Sequence, residues 1–540
     1  MQRGKMSDKI RISKNKKIFI FLIASILVSL SFSATESFSN NLKIANVSLE
    51  GRNPSSNSVT VEFDISWDNS WQTKINHDAV WVTVRLNDPA VVPTDKKLCQ
   101  MKESGTNPTG TLIDSDSGLE IVIPQDKMGA FIKLDSYGKK NTAEASDVEL
   151  MIDYGSCGLD DSNSAAVSVM GIEMVFVPEG AFYAGDNDTS TASLDQGSAD
   201  SDPWYIASES AISVSNPASD GYRYVSAGNS GEGSTGSSFT LPSSYPKGYG
   251  SFYVMKYEIT EEQWVAFANS LPSSAARANR DITNSSHKNS DSVINRNTIS
   301  CSGSNVTCST QRPARAVSYL TWMDLAAFLD WAALRPMTEL EYEKMSRGPV
   351  LPVEGEYAWG SINITSATAL SSGNEDGTEV VTNSGANAQY GTVILTGGDS
   401  VNGSGYDQGP LRAGIFATSS SDREGSGAGY YGVLELSGNL SERVVTIGNA
   451  AGRNFVETHG DGVLSTVSGY EGNATNADWP GIDALPSRGV TSAEGSGSKG
   501  GAWNSASSSL RISDRGDAAN ASTSATGYAG GRGVRSYDSN

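Results

Sequence analysis

The sequence has few of the residues that most often bind metals. Its 540 residues include three histidines, which lie far apart in the chain at His77, His287 and His459. It has four cysteines, none of which follows Cys308. It contains no zinc-binding helix motif, no G-x-S-x-G nucleophile elbow and no glycine-rich phosphate loop. These absences exclude the classes of zinc site, nucleophile site and phosphate-binding site that can be recognised from a local sequence motif.

Positive charge is also scarce. The chain has 40 Lys and Arg against 61 Asp and Glu, which gives a net charge of −21. A protein that binds the phosphate backbone needs a basic surface, so we expect no nucleic-acid partner.

The one basic run, residues 5–17, precedes an apolar stretch at residues 18–32. The stretch is short for a membrane-spanning helix, and the arrangement is typical of a secretory signal peptide, here residues 1–34. We therefore expect the protein to be secreted or attached to the cell surface. An uncleaved N-terminal membrane anchor is the alternative.

The four cysteines are an even number, which in an exported protein suggests disulfides, although four cysteines allow three pairings. A bond between Cys301 and Cys308 would close a small loop. A bond between Cys99 and Cys157 would connect distant parts of the N-terminal region. Four unpaired thiols are the alternative.

Residues 42–170 have the pattern of short β-strands. Apolar residues alternate with polar ones along residues 59–67 and again along residues 80–86. Clusters of Gly, Asn, Asp and Ser separate these stretches, which predicts an all-β, immunoglobulin-like sandwich. We find no catalytic constellation here, and the expected role is a stalk or docking module.

Several later motifs resemble one known family. They are GGAW at residues 500–503, LRISDR at 510–515, GGRGVR at 530–535 and LRPMTELEYEKMSRG at 334–348. Together they resemble the formylglycine-generating enzyme, or sulfatase-modifying factor, family. The resemblance implies an α+β, C-type-lectin-like fold for residues 172–540.

Two helix starts are recognisable within this region. Thr260 with Gln263, and Thr338 with Glu341, have the spacing of a capping box, in which each side chain bonds the other residue's main-chain N–H. Each pair therefore predicts a helix that begins just after the threonine.

The residues that the family's chemistry requires are missing. Active members hold copper(I) with two cysteine thiolates and oxidise a cysteine of a sulfatase to formylglycine. Those cysteines should fall between Trp503 and Arg511, where this sequence has only Asn, Ser, Ala and Leu. With neither thiolates nor a histidine cluster, we expect no copper or iron. The main alternative is a sulfatase-modifying-type oxidoreductase with a metal site that the sequence does not reveal, and the second alternative is a structural cell-surface protein.

The motif YGVLELSGNLSE at residues 431–442 resembles a calcium-binding segment of the family. The resemblance implies that Asn439 and Glu442 bind calcium, which prefers oxygen ligands. A turn without metal is the alternative. Ser441 stands where the family has tryptophan, and Asn374 with Glu375 lies where the family often has a second calcium site.

Apart from the LRISDR motif, the segment 504–528 is built only from Asn, Ser, Thr, Asp, Gly, Ala and Tyr. This composition resembles the variable region of proteins that diversity-generating retroelements mutate, and adaptable binding surfaces use similar residues. We therefore predict a protein, peptide or glycan ligand that contacts Trp503, Asn504, Ser505, Ser507, Ser508, Ser509, Asp517, Asn520, Ser522, Thr523, Ser524, Thr526 and Tyr528. Trp503 and Tyr528 are the predicted aromatic anchors, and burial in the frame is the alternative for Trp503. A plain surface of small residues without a ligand is the alternative for the whole segment.

The arginines within this segment and just after it suggest a rigid frame. Arginine's planar fork suits fixed pairing with carboxylates and main-chain oxygens. We therefore predict structural roles for Arg511, Asp514 and Arg515, and expect Arg532 and Arg535 to hold the C-terminal strand.

Overall fold

The computed structural model describes residues 41–90, 96–187, 190–197, 202–215, 221–233, 238–371, 377–397 and 407–537. The predicted signal peptide and the pair Asn374 and Glu375 lie outside these ranges. The described chain is mostly strand with few helices, which is consistent with the predicted C-type-lectin-like fold. Its helices are too short or too polar to cross a membrane.

Two large β-sheets begin in the N-terminal third of the chain. Their strands in that region are β1 (Lys43–Asn53), β2 (Ser58–Gln72), β3 (Asp78–Asn87), β4 (Lys97–Leu98), β5 (Gln100–Met101), β6 (Gly105–Thr106), β7 (Thr111–Leu112), β8 (Leu119–Ile123), β9 (Ala130–Leu134), β10 (Gly138–Asp153) and β11 (Ala166–Val177). Short 3-10 helices lie at Ser115–Ser117 and Tyr154–Cys157.

The first sheet has the order β1-β2-β10-β5, with β7 also paired to β10. Along β2 the predicted alternation is confirmed, since Val61, Phe63, Ile65 and Trp67 are buried while the residues between them are partly exposed. These side chains form one hydrophobic core with residues of the second sheet. One buried and one solvent-facing side is the usual state of an antiparallel sheet.

The second sheet differs because both of its faces are covered. Strand β3 is buried along its whole length. Val80 and Val82 pack into the core shared with the first sheet, whereas Ala79 and Trp81 pack into a core made largely of later residues. The Trp81 indole N–H donates to the Ala332 carbonyl at 3.0 Å. The second sheet therefore lies between two hydrophobic cores.

The later part of the chain joins this same sheet. Its remaining strands and helices are β12 (Phe182–Ala184), β13 (Asp195–Gln196), β14 (Trp204–Ile206), β15 (Ile212–Val214), β16 (Tyr222–Arg223), β17 (Phe239–Leu241), β18 (Phe252–Met255), α1 (Glu261–Ser270), α2 (Ser274–Asn279), β19 (Ser300–Ser302), β20 (Thr307–Ser309), α3 (Trp322–Trp331), α4 (Glu339–Arg347), β21 (Ser441–Val445), α5 (Ala450–Arg453), β22 (Ser496–Lys499), β23 (Ala529–Gly530) and β24 (Val534–Ser536). Two further 3-10 helices lie at Pro486–Arg488 and Ser507–Leu510.

The second sheet has the order β24-β18-β11-β3-β9-β8-β6, with β4 also paired to β3. Strand β11 pairs antiparallel with both β3 and β18. The predicted boundary between residues 170 and 172 therefore lies inside one strand of a continuous sheet. The immunoglobulin-like sandwich stays a prediction.

Capping boxes start three of the helices. Those predicted at Thr260 and Thr338 are confirmed at the starts of α1 and α4. A third, formed by Thr321 and Asp324 at the start of α3, was not predicted. In all three, a threonine hydroxyl accepts from the N–H three residues later, which satisfies one of the helix's unpaired donors.

Helix α4 is an anchor for distant segments because its three glutamates are buried and paired. Glu339 accepts from Arg515 at 2.6 Å, and Glu341 accepts from Arg335 at 2.6 Å. Glu343 faces both Arg347 and Lys499 at 3.3 Å. The predicted structural role of Arg515 thus has a specific partner on this helix.

The C-terminal strand is held by two buried arginines. Arg532 makes a two-pronged pair with Glu442, at 2.7 Å and 2.6 Å. It also donates to the carbonyls of Met255, Lys256 and Leu434. Arg535 donates to the Ala333 carbonyl at 2.6 Å and pairs with Asp126. Together the two guanidinium groups connect the end of the chain to β18, to the loop before β21 and to the N-terminal region.

The structure pairs the four cysteines as Cys99–Cys157 and Cys301–Cys308. The second bond joins opposite residues of the hairpin β19–β20.

We predict that Arg532→Ala lowers the free energy of unfolding by about 3–5 kcal/mol, because it leaves the Glu442 carboxylate buried and unpaired. The matched control is Arg52→Ala, which removes an ion pair of similar length, 2.8 Å, whose side chains are 41% and 52% exposed. The control should cost no more than about 1 kcal/mol. Denaturant titration measures both, and equal losses would contradict the structural role of Arg532.

Candidate functional site

A small three-stranded sheet supports the predicted ligand surface. Strand β21 lies in its middle, antiparallel to β22 and parallel to β23. Beside this sheet is a cavity of about 250 Å³. Its lining consists of Ser441, Ser498, Lys499, Gly500, Gly501, Asn504, Ser505, Ser509, Asp514, Asp517 and Tyr528.

The main chain at the start of the segment is held by a loop from elsewhere. The Thr392 N–H donates to the Trp503 carbonyl at 2.9 Å, and the Gly391 N–H donates to the Ser505 carbonyl at 3.0 Å. These bonds involve only main-chain atoms, so they do not depend on which side chains residues 503–505 carry.

The middle of the segment is held in the same way. The Asn229 side-chain amide donates to the Gly516 carbonyl at 2.8 Å. The Ser498 N–H, on β22, donates to the Asp517 carbonyl at 2.8 Å. Each donor again lies outside the segment.

Arg443 and Tyr319 hold the main chain in the later part of the segment, residues 522–526. The two Nη atoms of Arg443, a residue of β21 that is 4% exposed, donate to the Ser522 and Ser524 carbonyls at 3.2 Å and 3.3 Å. The Tyr319 N–H donates to the Thr526 carbonyl at 3.0 Å. The path of residues 522–526 therefore depends on one buried arginine and one main-chain donor.

Trp503 belongs to the frame, which corrects the prediction that it anchors a ligand. Its side chain is 5% exposed and packs in a small core with Leu440. The indole N–H donates to the Gly527 carbonyl at 2.8 Å. Trp503 therefore faces the interior and connects the two ends of the segment.

The other predicted ligand residues divide into two groups. Asn504, Ser505, Ser509, Asp517 and Tyr528 line the cavity. The rest are half-buried or exposed outside it, and they are Ser507, Ser508, Asn520, Ser522, Thr523, Ser524 and Thr526. The structure thus brings part of the predicted set together and leaves the remainder around it.

Sequence reasoning missed half of the cavity. Ser441, Ser498 and Lys499 come from β21 and β22, which pair only in the folded chain. The sequence did carry one signal, because Ser441 replaces the family's tryptophan with a small residue. Asp514, predicted to be structural, lines the cavity as well.

Gly500 and Gly501 form the tight turn that follows β22. Both have positive φ, +86° and +61°, a region that favours glycine. A Cβ at Gly500 would lie 2.6 Å from the Leu436 carbonyl oxygen, and one at Gly501 would lie 2.6 Å from Leu510 Cδ1. The geometry therefore requires the two glycines of the GGAW motif.

Lys499 is the positive charge in the lining, and it is already engaged. Its ammonium donates to the Asp514 carbonyl at 2.8 Å and lies 3.3 Å from the Glu343 carboxylate. It also lies over the Tyr342 ring. With no exposed side-chain surface, Lys499 stabilises the floor of the cavity.

Asn439 and Glu442, the residues expected to bind calcium, have protein partners. Both oxygens of Glu442 accept from Arg532. The Asn439 amide donates to Glu258, and its oxygen accepts from the Leu411 N–H at 2.7 Å. The guanidinium occupies the position that a cation would take, so these residues as placed do not fit a calcium site. Within the described ranges, no group of three or more His, Cys, Asp and Glu side chains could hold a metal ion.

Glu435 lies in the same buried acidic cluster. It accepts from the Gly414 N–H at 2.7 Å. Burial raises the pKa of Glu435 to about 7, although the charge of Arg532 acts in the opposite direction. Burial, and then the charge of Glu442, raises the pKa of Glu258 well above its usual range. The Arg532 guanidinium therefore lies among several buried carboxyl groups, and burial favours the protonated form of Glu435 and Glu258.

Comparison with known proteins identifies the scaffold. Residues 161–537 match the model of the family described as the sulfatase-modifying factor enzyme 1-like domain. None of the curated proteins matches the chain. Among solved structures the chain is similar to Treponema denticola variable protein 1, with 12% identity and a TM-score of 0.29. The match covers 68% of this chain and 96% of that chain.

We predict that the Glu435→Gln variant loses less stability than the wild type as pH rises from 4.5 to 7. In the folded protein Glu435 stays largely protonated until the pH approaches 7, whereas in the unfolded chain it releases the proton near pH 4.5. The wild-type free energy of unfolding therefore falls as pH rises, by on the order of 3 kcal/mol from this group alone. Urea titrations at several pH values measure the difference, and parallel curves would contradict the assignment.

We also predict that Arg443→Ala loosens residues 522–526 locally. A lost hydrogen bond from a charged donor costs about 1.5–3 kcal/mol, so amide hydrogen exchange there should rise by about tenfold or more. Ser508→Ala and Thr523→Ala are the controls and should leave exchange unchanged, because their side chains are exposed. Unchanged exchange in Arg443→Ala would show that Arg443 does not hold the segment.

Proposed function

Because the chain belongs to the family of sulfatase-modifying factor enzyme 1-like domains, we propose that it is an exported, non-catalytic protein that binds ligands on this scaffold. The binding surface is the segment 504–528 together with the cavity beside it. The ligand is a protein, a peptide or a glycan.

The observation that carries the proposal is how the segment is held. Its main-chain carbonyls accept hydrogen bonds from Gly391, Asn229, Arg443 and Tyr319, all of which lie outside it. The exposed and half-buried side chains of residues 504–509 and 516–528 are therefore free to differ without changing the path of the segment, whereas the buried Arg515 belongs to the frame. A rigid backbone with replaceable side chains is what a variable binding surface requires.

The composition of the surface supports binding. Ser, Asn and Thr side chains supply adaptable hydrogen bonds, and tyrosine supplies a large contact at low entropic cost. Tyr528 is 42% exposed and lines the cavity, so it is the aromatic anchor of the surface.

The cysteines support a non-catalytic and exported protein. The copper(I) chemistry of the resembled enzymes uses two thiolates, whereas all four cysteines of this chain are in disulfides. Disulfides persist in oxidising compartments. We further propose that the N-terminal sheets form an immunoglobulin-like sandwich that holds the binding domain at the cell surface.

A segment exchange tests the proposal. Residues 504–528 are replaced by the corresponding segment of another family member with the same flanking motifs, and the reciprocal exchange is made. Binding is read on an array of cell-surface proteins and glycans. We expect each chimera to have the binding profile of its segment donor and a melting temperature within about 3 °C of its parent, equivalent to about 1 kcal/mol.

A chimera that keeps the profile of its recipient would place the binding surface elsewhere. Absence of binding by parents and chimeras alike would also contradict the proposal. The matched control exchanges residues 454–488, a region outside the cavity lining, and should leave the profile unchanged.

A further inference from the structure

We propose that the cavity beside β21 is a subsite for a basic side chain, the guanidinium or ammonium group of a peptide or protein ligand. The inference rests on the proposed binding function and adds the chemical class that this part of the surface recognises.

Two carboxylates in the lining are available to a ligand. Asp514 accepts a hydrogen bond from the Gly516 N–H at 3.1 Å, and Asp517 accepts one from the Asn520 amide at 3.0 Å. Within the described part of the chain, neither carboxylate takes part in an ion pair. This is unusual for the region, where Glu339 and Glu343 each have a cationic partner.

The nearby cations are not available to a ligand. Lys499 and Arg443 are 2% and 4% exposed. Lys499 donates to the Asp514 carbonyl, and Arg443 donates to two carbonyls of the segment. The charge of Lys499 is offset by the Glu343 carboxylate at 3.3 Å, whereas the charge of Arg443 acts on Asp517. One cation therefore remains against the two carboxylates, so a ligand entering the cavity meets net negative charge, which disfavours an anion and favours a cation.

The neutral groups of the cavity also suit a ligand that offers hydrogen-bond donors and no acceptors. Across the described residues, the hydroxyls of Ser441, Ser498 and Ser509 have no hydrogen-bond partner, and each can accept. An ammonium group offers three donors and a guanidinium group five, with no acceptor. The exposed ring of Tyr528 adds a face over which a cation is stabilised.

The size of the cavity limits what can occupy it. A volume of about 250 Å³ lies below the range of about 300–1,000 Å³ typical of small-molecule sites. The cavity therefore holds one side chain, while the rest of the ligand contacts the exposed residues around it. Ser508 and Thr523 are exposed and Ser507 is half-buried, so their side chains are accessible to a ligand.

The test uses the full-length protein and three capped amino acids, Nα-acetyl-arginine amide, Nα-acetyl-lysine amide and Nα-acetyl-citrulline amide. Citrulline is the neutral analogue of arginine, so it separates charge from shape. Saturation-transfer NMR titrations should show binding of at least one cationic probe, with citrulline weaker by about tenfold or more. The arginine and lysine arms show which cation the cavity prefers, and added salt should weaken either one.

The double variant Asp514→Asn and Asp517→Asn should weaken binding of the cationic probes by about tenfold or more. The charge-matched control is Asp135→Asn, an exposed residue outside the cavity, and it should bind like the wild type. Thermal melts establish that each variant is folded. Tyr528→Leu is a second variant that keeps both carboxylates, and it should weaken binding by a smaller factor.

Equal binding of the arginine and citrulline probes would overturn the proposal, because the cavity would then recognise the hydrogen-bonding shape of the side chain and not its charge. Absence of binding by both cations, or full binding by a folded double variant, would overturn it as well. These outcomes differ from failure of the proposed function, since a segment exchange could still transfer binding through the surrounding residues.

Discussion

The ion pair between Glu442 and Arg532 is the interaction on which the candidate binding surface depends. Glu442 lies on β21 with its carboxylate buried, and Arg532 ties it to carbonyls of two other segments. Successive side chains of a strand point to opposite faces, so the neighbouring Ser441 and Arg443 project the other way. Ser441 lines the cavity, and Arg443 holds two carbonyls of the segment. The buried pair of Glu442 and Arg532 thus positions β21, and the opposite face of β21 supports the candidate binding surface.

A second constraint is the sheet that runs through both halves of the chain. Alternation along β2 predicted a strand with one buried face, and the structure has it. The same alternation along β3 gave no sign that its other face would be covered, because Trp81 packs against residues far away in sequence. Likewise, the sequence placed residues 170 and 172 in different domains, but both lie in β11, which pairs with β3 from Ala166 to Val175. Local pattern specifies a strand and cannot specify what lies on each side of it.

The same distinction explains how much of the candidate site the sequence could predict. Residues 504–528 stood out because their composition is unusual, and the flanking motifs located them on a known scaffold. Ser498 and Lys499 have no such signal, since they reach the cavity only through the pairing of β21 with β22. For Trp503 the sequence left two roles open, because an aromatic residue beside a polar segment fits a surface anchor and a buried support equally well. The Trp503 indole N–H donates to the Gly527 carbonyl, which shows that the side chain is a buried support.

The central claim is that side chains of the segment are free to differ while the residues that hold its backbone are not. The most direct measurement is the coding sequence of this gene in closely related strains. The account predicts amino-acid differences concentrated at the exposed and half-buried positions of residues 504–528, with Arg443, Lys499 and Trp503 unchanged. Differences spread evenly over the surface, or replacement of the holding residues at the same rate as the segment, would contradict it.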